Sequence, residues 1–247
     1  MSAAGIVRRA IWVGFLLTHA PVAVALEIVR PGRGHAARIA SRGAGRMMHA
    51  LGVRFEVRGA ERIPARSCVF AANHRSHFDI PALLAGLPSG RFAAKQELFR
   101  QPVLGAAMRA LGVIPIDRER PEVAKRALDL AARQPGGGGS LVIFPEGEEA
   151  EPGQMLPFKA GAFVFALRTG LPVVPVAIHN TAAILARGDA LAISPGRVVV
   201  EVLDPIETGT LGVDDRARLA AETRAALERA LRPCDGGSAE RTDLGAF

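Results

Sequence analysis

The order of apolar and polar positions changes character near residue 53. Before it, Ile11 through Leu26 runs without a charge, followed by Arg38, Arg42 and Arg46 at a spacing of four that places them on one helical face. After it, short apolar runs alternate with helix-period stretches, the pattern of an α/β sheet protein. Val53, Phe55 and Val57 alternate with Arg54, Glu56 and Arg58, as a half-buried edge strand does. Ser67 to Ala72, Phe92 to Ala94, Gly112 to Ile116, Leu141 to Phe144, Leu171 to Ile178 and Arg197 to Leu203 are the other predicted strands. The prolines at 172 and 175 assign the strand Leu171 to Ile178 to an edge, a bulge or a strand entrance. Helices are predicted over Asp79 to Leu87 (capped by Asp79 or Ser76), Phe99 to Leu111, Pro121 to Arg133, 158 to 168 and Val213 to Leu231. No internal repeat is evident.

A chain of 247 residues, 49% of them apolar, is long enough for one large α/β domain with an ample core. The expected division is a membrane-anchoring helical segment over 1–50, an α/β domain over 51–232 and a loose tail over 233–247. The net charge of +7 suggests nucleic acid until its placement is considered. Much of it flanks the apolar run within residues 8 to 46, which fits an anionic membrane surface, and no nucleic-acid module is present. That apolar run is shorter than a perpendicular span requires, and reads as a tilted span, a re-entrant hairpin broken at Pro21, or a signal peptide lacking a clear cleavage site. The arginines that follow it place the main domain on the cytoplasmic side of the inner membrane. The two cysteines form neither a disulfide framework nor a metal motif.

Chemistry concentrates at two strand ends. Asn73-His74-Arg75-Ser76-His77-Phe78-Asp79 follows an apolar strand, so His74 can serve as a general base and Asp79 can fix its tautomer. With no Gly-x-Ser-x-Gly elbow in the chain, direct attack of a substrate hydroxyl on an activated acyl group is the economical scheme. Two other uses of these residues stay open: a helix cap, and a metal set of His74, His77 and Asp79. At the second strand end, Glu146 and Gly147 follow Phe144-Pro145, where the carboxylate can bind substrate hydroxyls or organise a loop. Lys95, Arg118 and Lys159 can each meet a phosphate, with bidentate geometry favouring Arg118.

Taken together these segments resemble the glycerolipid acyltransferases, in particular the 1-acyl-sn-glycerol-3-phosphate acyltransferase branch. The resemblance rests on four ordered blocks over about residues 50 to 205: Asn73-His74-x-Ser76-x-x-Asp79; Gly112-Val113-Ile114-Pro115-Ile116-Asp117-Arg118; Phe144-Pro145-Glu146-Gly147 with Leu156-Pro157-Phe158-Lys159-x-Gly161; and Val174-Pro175-Val176. Lys95-x-Glu97-Leu98 lies between the first two. It implies a mixed sheet flanked by helices with an N-terminal membrane-associated segment. It also implies acyl transfer from acyl-CoA or acyl carrier protein to a lysolipid hydroxyl, with no metal, cofactor or covalent enzyme intermediate. His74 is then the base and Asp79 its orienting partner. Asn73, Ser76, Lys95, Arg118, Glu146, Gly147, Lys159 and Pro175 form the expected substrate-binding set, with Arg118 on the acceptor phosphate. One departure stands out. The family pattern continues after Glu-Gly with Thr-Arg-Ser, whereas here Glu148-Glu149-Ala150 follows. Carboxylates repel a phosphomonoester, so the expectation includes either a phosphate held by Arg118 and Lys159 alone or an amine-bearing lysolipid as acceptor. Lost catalysis with retained lipid binding is the remaining alternative.

Overall fold

The apolar runs condense into a seven-stranded sheet in the computed structural model, which describes residues 3–29, 35–87, 90–101, 105, 108–109, 113–116, 140–151, 153–186 and 191–232. In chain order the strands are β1 (Val53–Arg58), β2 (Val69–Ala72), β3 (Gly90–Lys95), β4 (Ile114–Ile116), β5 (Ser140–Ile143), β6 (Val173–His179) and β7 (Gly196–Val202). Across the sheet they run β1-β7-β6-β2-β5-β3-β4. The β6–β7 pair is antiparallel and every other neighbouring pair is parallel, so the sheet is mixed, as expected.

β2 lies between β5 and β6, with Val69 opposite both Leu141 and Val173. A strand covered on both faces has no reason to alternate, which is why Val69-Phe70-Ala71-Ala72 is apolar throughout and fully buried. Phe70 and Ala72 point into one core layer with Met48, Leu51, Phe78 and Leu83, whereas Val69 and Ala71 point into the other with Phe163, Leu167 and Leu219. The first layer is built by α1 (Ala3–Val29), α2 (His35–Ala50) and α3 (Asp79–Gly86), the second by α4 (Gly161–Thr169) and the closing α6 (Arg216–Leu231); the single turn α5 (Thr181–Ile184) follows β6.

Two expectations are adjusted. β6 is an interior strand, despite its prolines. Pro175 turns its missing N–H toward the side where β7 has already ended, and there only its carbonyl is needed, accepting from Leu203 N at 2.9 Å. The helix expected from residue 158 begins at Gly161, because Lys159 N donates instead to Pro145 O at 2.8 Å. The expected helix over 121–133 and the tail over 233–247 lie outside the described residues.

The expected membrane-associated segment is overturned. Among the described residues no helix is long and apolar enough to cross a membrane. At the start of that apolar run, within α1, protein covers the helix: Ile11 and Phe15 pack on the core, and Trp12, 5% exposed, sets its ring 5.7 Å from that of Phe78. An apolar helix face reads the same in sequence whether protein or lipid covers it. The inner-membrane localisation inferred from that run is withdrawn with it.

Candidate active site

β2 stops where Asn73 replaces a strand residue with its own side chain. Its Oδ1 accepts from Ile178 N at 2.7 Å and its Nδ2 donates to Ile178 O at 3.0 Å, continuing the pairing with β6 by one step. The backbone then leaves the sheet at His74. The His74 ring lies against Phe144 with centroids 4.0 Å apart and planes 16° apart, and its Nδ1 sits 2.8 Å from Asp79 Oδ2.

Asp79 is fully buried, and an isolated carboxylate there would be costly. Four donors surround it. Oδ2 accepts from His74 Nδ1, from Arg75 N at 2.7 Å and from Ser76 N at 3.0 Å, while Oδ1 accepts from the Thr181 hydroxyl. An acceptor so placed fixes the proton on Nδ1 and leaves the Nε2 lone pair available to take a proton from substrate.

The alternatives left open by the sequence resolve against this geometry. Neither Asp79 nor Ser76 caps α3: its N-cap is Phe78, without a side-chain cap. The Asp79 carboxylate turns back to amides of the preceding loop, and Ser76 Oγ donates to Leu185 O at 2.7 Å while accepting from Phe78 N at 3.1 Å. Nor do His74, His77 and Asp79 form one ligand set, because the exposed His77 places Nδ1 2.7 Å from Glu149 Oε1.

The second strand end meets the first directly. Glu146, 1% exposed, accepts from His74 N at 2.9 Å through Oε1 and from Leu156 N at 2.7 Å through Oε2. Burial pushes its carboxyl above the ordinary 4.5, against the pull of those two amides. Both oxygens therefore organise backbone, the second of the two uses read from the sequence. Ala150 N donates to His74 O at 2.8 Å, so the acidic loop is fastened to the His74 turn at a second point. Gly147 adopts φ 75°, and a Cβ there would lie 2.6 Å from Lys159 Nζ. Lys159 thus folds over the glycine, with Nζ 3.9 Å from Glu148 Oε1.

Of the expected substrate-binding set, Asn73 and Ser76 are buried with their side chains engaged in holding the turn. Glu146 holds the His74 amide, and Lys159 lies over Gly147 in the loop that follows. Pro175 is buried in β6 opposite Ala71. Lys95 ends β3 opposite Ile116, and Arg118 lies outside the described residues. Thr181 was missed. It sits 102 residues from Asp79, and its only signal is topological: β6 neighbours β2, so the residue after one strand end faces the turn after the other.

Residues 54–179 match the family model described as Acyltransferase, slightly more than half of the chain. The chain belongs to the acyltransferase family. Within the curated acyltransferases it is 36% identical over 157 residues to 1-acyl-sn-glycerol-3-phosphate acyltransferase BAT2, chloroplastic, of Brassica napus, covering 61% of this chain and 44% of that protein. It is 34% identical over 194 residues to 1-acyl-sn-glycerol-3-phosphate acyltransferase alpha of Mus musculus, covering 73% of this chain and 66% of that one. The chain therefore spans less than half the length of the Brassica relative. In fold this acyltransferase is similar to the crystal structure of the 1-acyl-sn-glycerophosphate acyltransferase PlsC of Thermotoga maritima, with TM-score 0.68, 24% identity, and coverage of 93% of this chain and 97% of that chain. The family match contains His74, Asp79, Glu146 and Lys159, and stops two residues short of Thr181.

Proposed function

We propose that this acyltransferase moves an acyl group from acyl-CoA or acyl carrier protein to the sn-2 hydroxyl of 1-acylglycerol 3-phosphate or a related lysolipid. The observation that carries the reading is the His74–Asp79 pair, 2.8 Å apart, with the carboxylate held by three further donors. His74 Nε2 takes the hydroxyl proton as the oxygen attacks the thioester carbon. Asp79 stabilises the imidazolium that forms. The tetrahedral intermediate collapses with loss of the thiolate, and the imidazolium returns its proton to that sulfur. Each turnover forms one ester, breaks one thioester and leaves the enzyme unchanged. The partner proposed with the acceptor is the anionic lipid interface that presents it.

The loop at 148 and 149 favours a second acceptor class. Glu149 is 10% exposed and faces His77, while Glu148 shares its surroundings with Lys159. Both carboxylates thus have a basic neighbour, which reduces their repulsion of a phosphate without turning the loop into a phosphate site. An amine-bearing lysolipid suits this loop better than lysophosphatidate does. Lysophosphatidate, a neutral lysolipid and a lyso-aminolipid, offered with acyl-CoA or acyl carrier protein in mixed micelles, discriminate the readings. Thiol release matched by acylated product supports acyl transfer, and preference for the cationic acceptor supports the second class. Equal turnover of all three removes the charge preference, and no product with any of them removes the proposed activity. A rate that ignores added anionic lipid removes the interface as a partner.

A further inference from the structure

We propose that Arg224, on the closing helix α6 and outside the family match, is a positioning residue for His74, acting through the peptide group between Met155 and Leu156. The guanidinium is half-buried and held on every side. Nε donates to Glu228 Oε1 at 2.7 Å, Nη1 to Leu156 O at 2.7 Å and Nη2 to Met155 O at 2.8 Å, with the guanidinium carbon 5.6 Å from the centre of the Phe158 ring. Phe158 in turn stacks on the buried Phe163, which ties the arrangement to the sheet.

One of those carbonyls belongs to the peptide unit whose N–H serves the active site. Met155 C=O accepts from Arg224, and the N–H on the other side of the same bond, that of Leu156, donates to Glu146 Oε2 at 2.7 Å. The other oxygen of Glu146 accepts from His74 N at 2.9 Å. A single planar peptide therefore connects the closing helix to the buried carboxylate that holds the catalytic turn. A cation on the carbonyl polarises the amide and makes its N–H a stronger donor. It also fixes the far end of the loop that begins at Glu146 and carries Glu148 and Glu149.

The chemistry explains why the residue is arginine. Two carbonyls on adjacent residues, a carboxylate and an aromatic face lie around one planar group, which a lysine ammonium serves only in part. Neighbouring Glu228 sets the approach, four residues along the same helix.

The kinetic part of this inference rests on the proposed acyl transfer, and the structural part does not. Amide hydrogen exchange by the full chain, comparing wild type with Arg224→Gln, Arg224→Lys and Glu228→Gln, reads the relay directly. In Arg224→Gln the amides of Leu156 and His74 are expected to exchange about tenfold faster, the scale of one lost hydrogen bond from a charged donor. Strand β6 should keep its protection. Arg224→Lys should fall between the two, and Glu228→Gln should shift the same amides by a smaller factor. On acyl transfer, kcat falls as the His74 exchange rate rises across the series, while KM for the donor holds. Unchanged exchange at His74 in folded Arg224→Gln overturns the proposal, as does a loss spread evenly over the chain. If Arg224→Gln does not fold, Glu228→Gln decides: a shift confined to Leu156 and His74 supports the relay, and no shift refutes it. Wild type that exchanges as expected yet transfers no acyl group refutes the proposed function and leaves the relay standing.

Discussion

Replacing Glu146 by Gln tests how the two strand ends are joined. The side chain keeps its shape and loses one acceptor. Its carboxylate now serves His74 N and Leu156 N with one oxygen each, so in the amide one of those N–H groups faces an NH2. An unsatisfied buried donor costs about 1–3 kcal/mol. For a chain of this size that corresponds to a fall in Tm of about 2–12 °C. The pH dependence adds a sharper expectation. Burial raises the folded pKa of Glu146 above 4.5, so the folded state holds the proton more tightly than the unfolded chain does. Its contribution to wild-type stability is therefore present below 4.5 and is lost as pH rises through the raised folded value. Glutamine has no such titration, so the deficit of Glu146→Gln should narrow over the pH range that rises from 4.5. Urea unfolding of both proteins across that range measures it. A deficit that widens with pH, or no deficit at all, refutes the account of Glu146 as a buried, backbone-holding carboxylate.

Other substitutions separate chemistry from scaffold. Asp79→Asn can still accept from Arg75 N and Ser76 N but lacks the charge facing His74; kcat should fall about 10²–10⁴-fold with the fold retained by circular dichroism. Thr181→Val removes one hydrogen bond to that carboxylate, worth about 1.5–3 kcal/mol, and should lower Tm and kcat together while KM for the donor holds. Gly147→Ala forces a side chain into φ 75° and against Lys159, a backbone cost of about 1–2 kcal/mol. Its acceptor KM should rise more than its donor KM, as steady-state kinetics with each substrate varied will show.

Much of the sheet was legible because buried parallel strands are written as continuous apolar runs, as in Val69-Phe70-Ala71-Ala72 and Leu141-Val142-Ile143. The His74–Asp79 pair was legible too, since five residues across a turn bring the two side chains together without help from the rest of the chain. What lies far apart was not. Thr181 and Arg224 join the site only through strand order and helix docking, which no local spacing records. Pro175 read as an edge marker because the sequence does not show which neighbour its missing N–H faces. Trp12 read as part of an anchor for the same kind of reason: Phe78, which covers it, is remote in the chain. Asn73 and Ser76 look like substrate ligands by type, and only their buried partners reveal that they hold the turn.

The most direct test of the central claim is acyl transfer by purified wild type and His74→Ala, with thiol release and acylated lysolipid measured in the same reaction. Removing the base should lower kcat by about 10²–10⁴-fold while the protein stays folded, because the His74 ring is partly exposed and its loss leaves the amides of Arg75 and Ser76 on Asp79. An undiminished rate in folded His74→Ala would contradict the account.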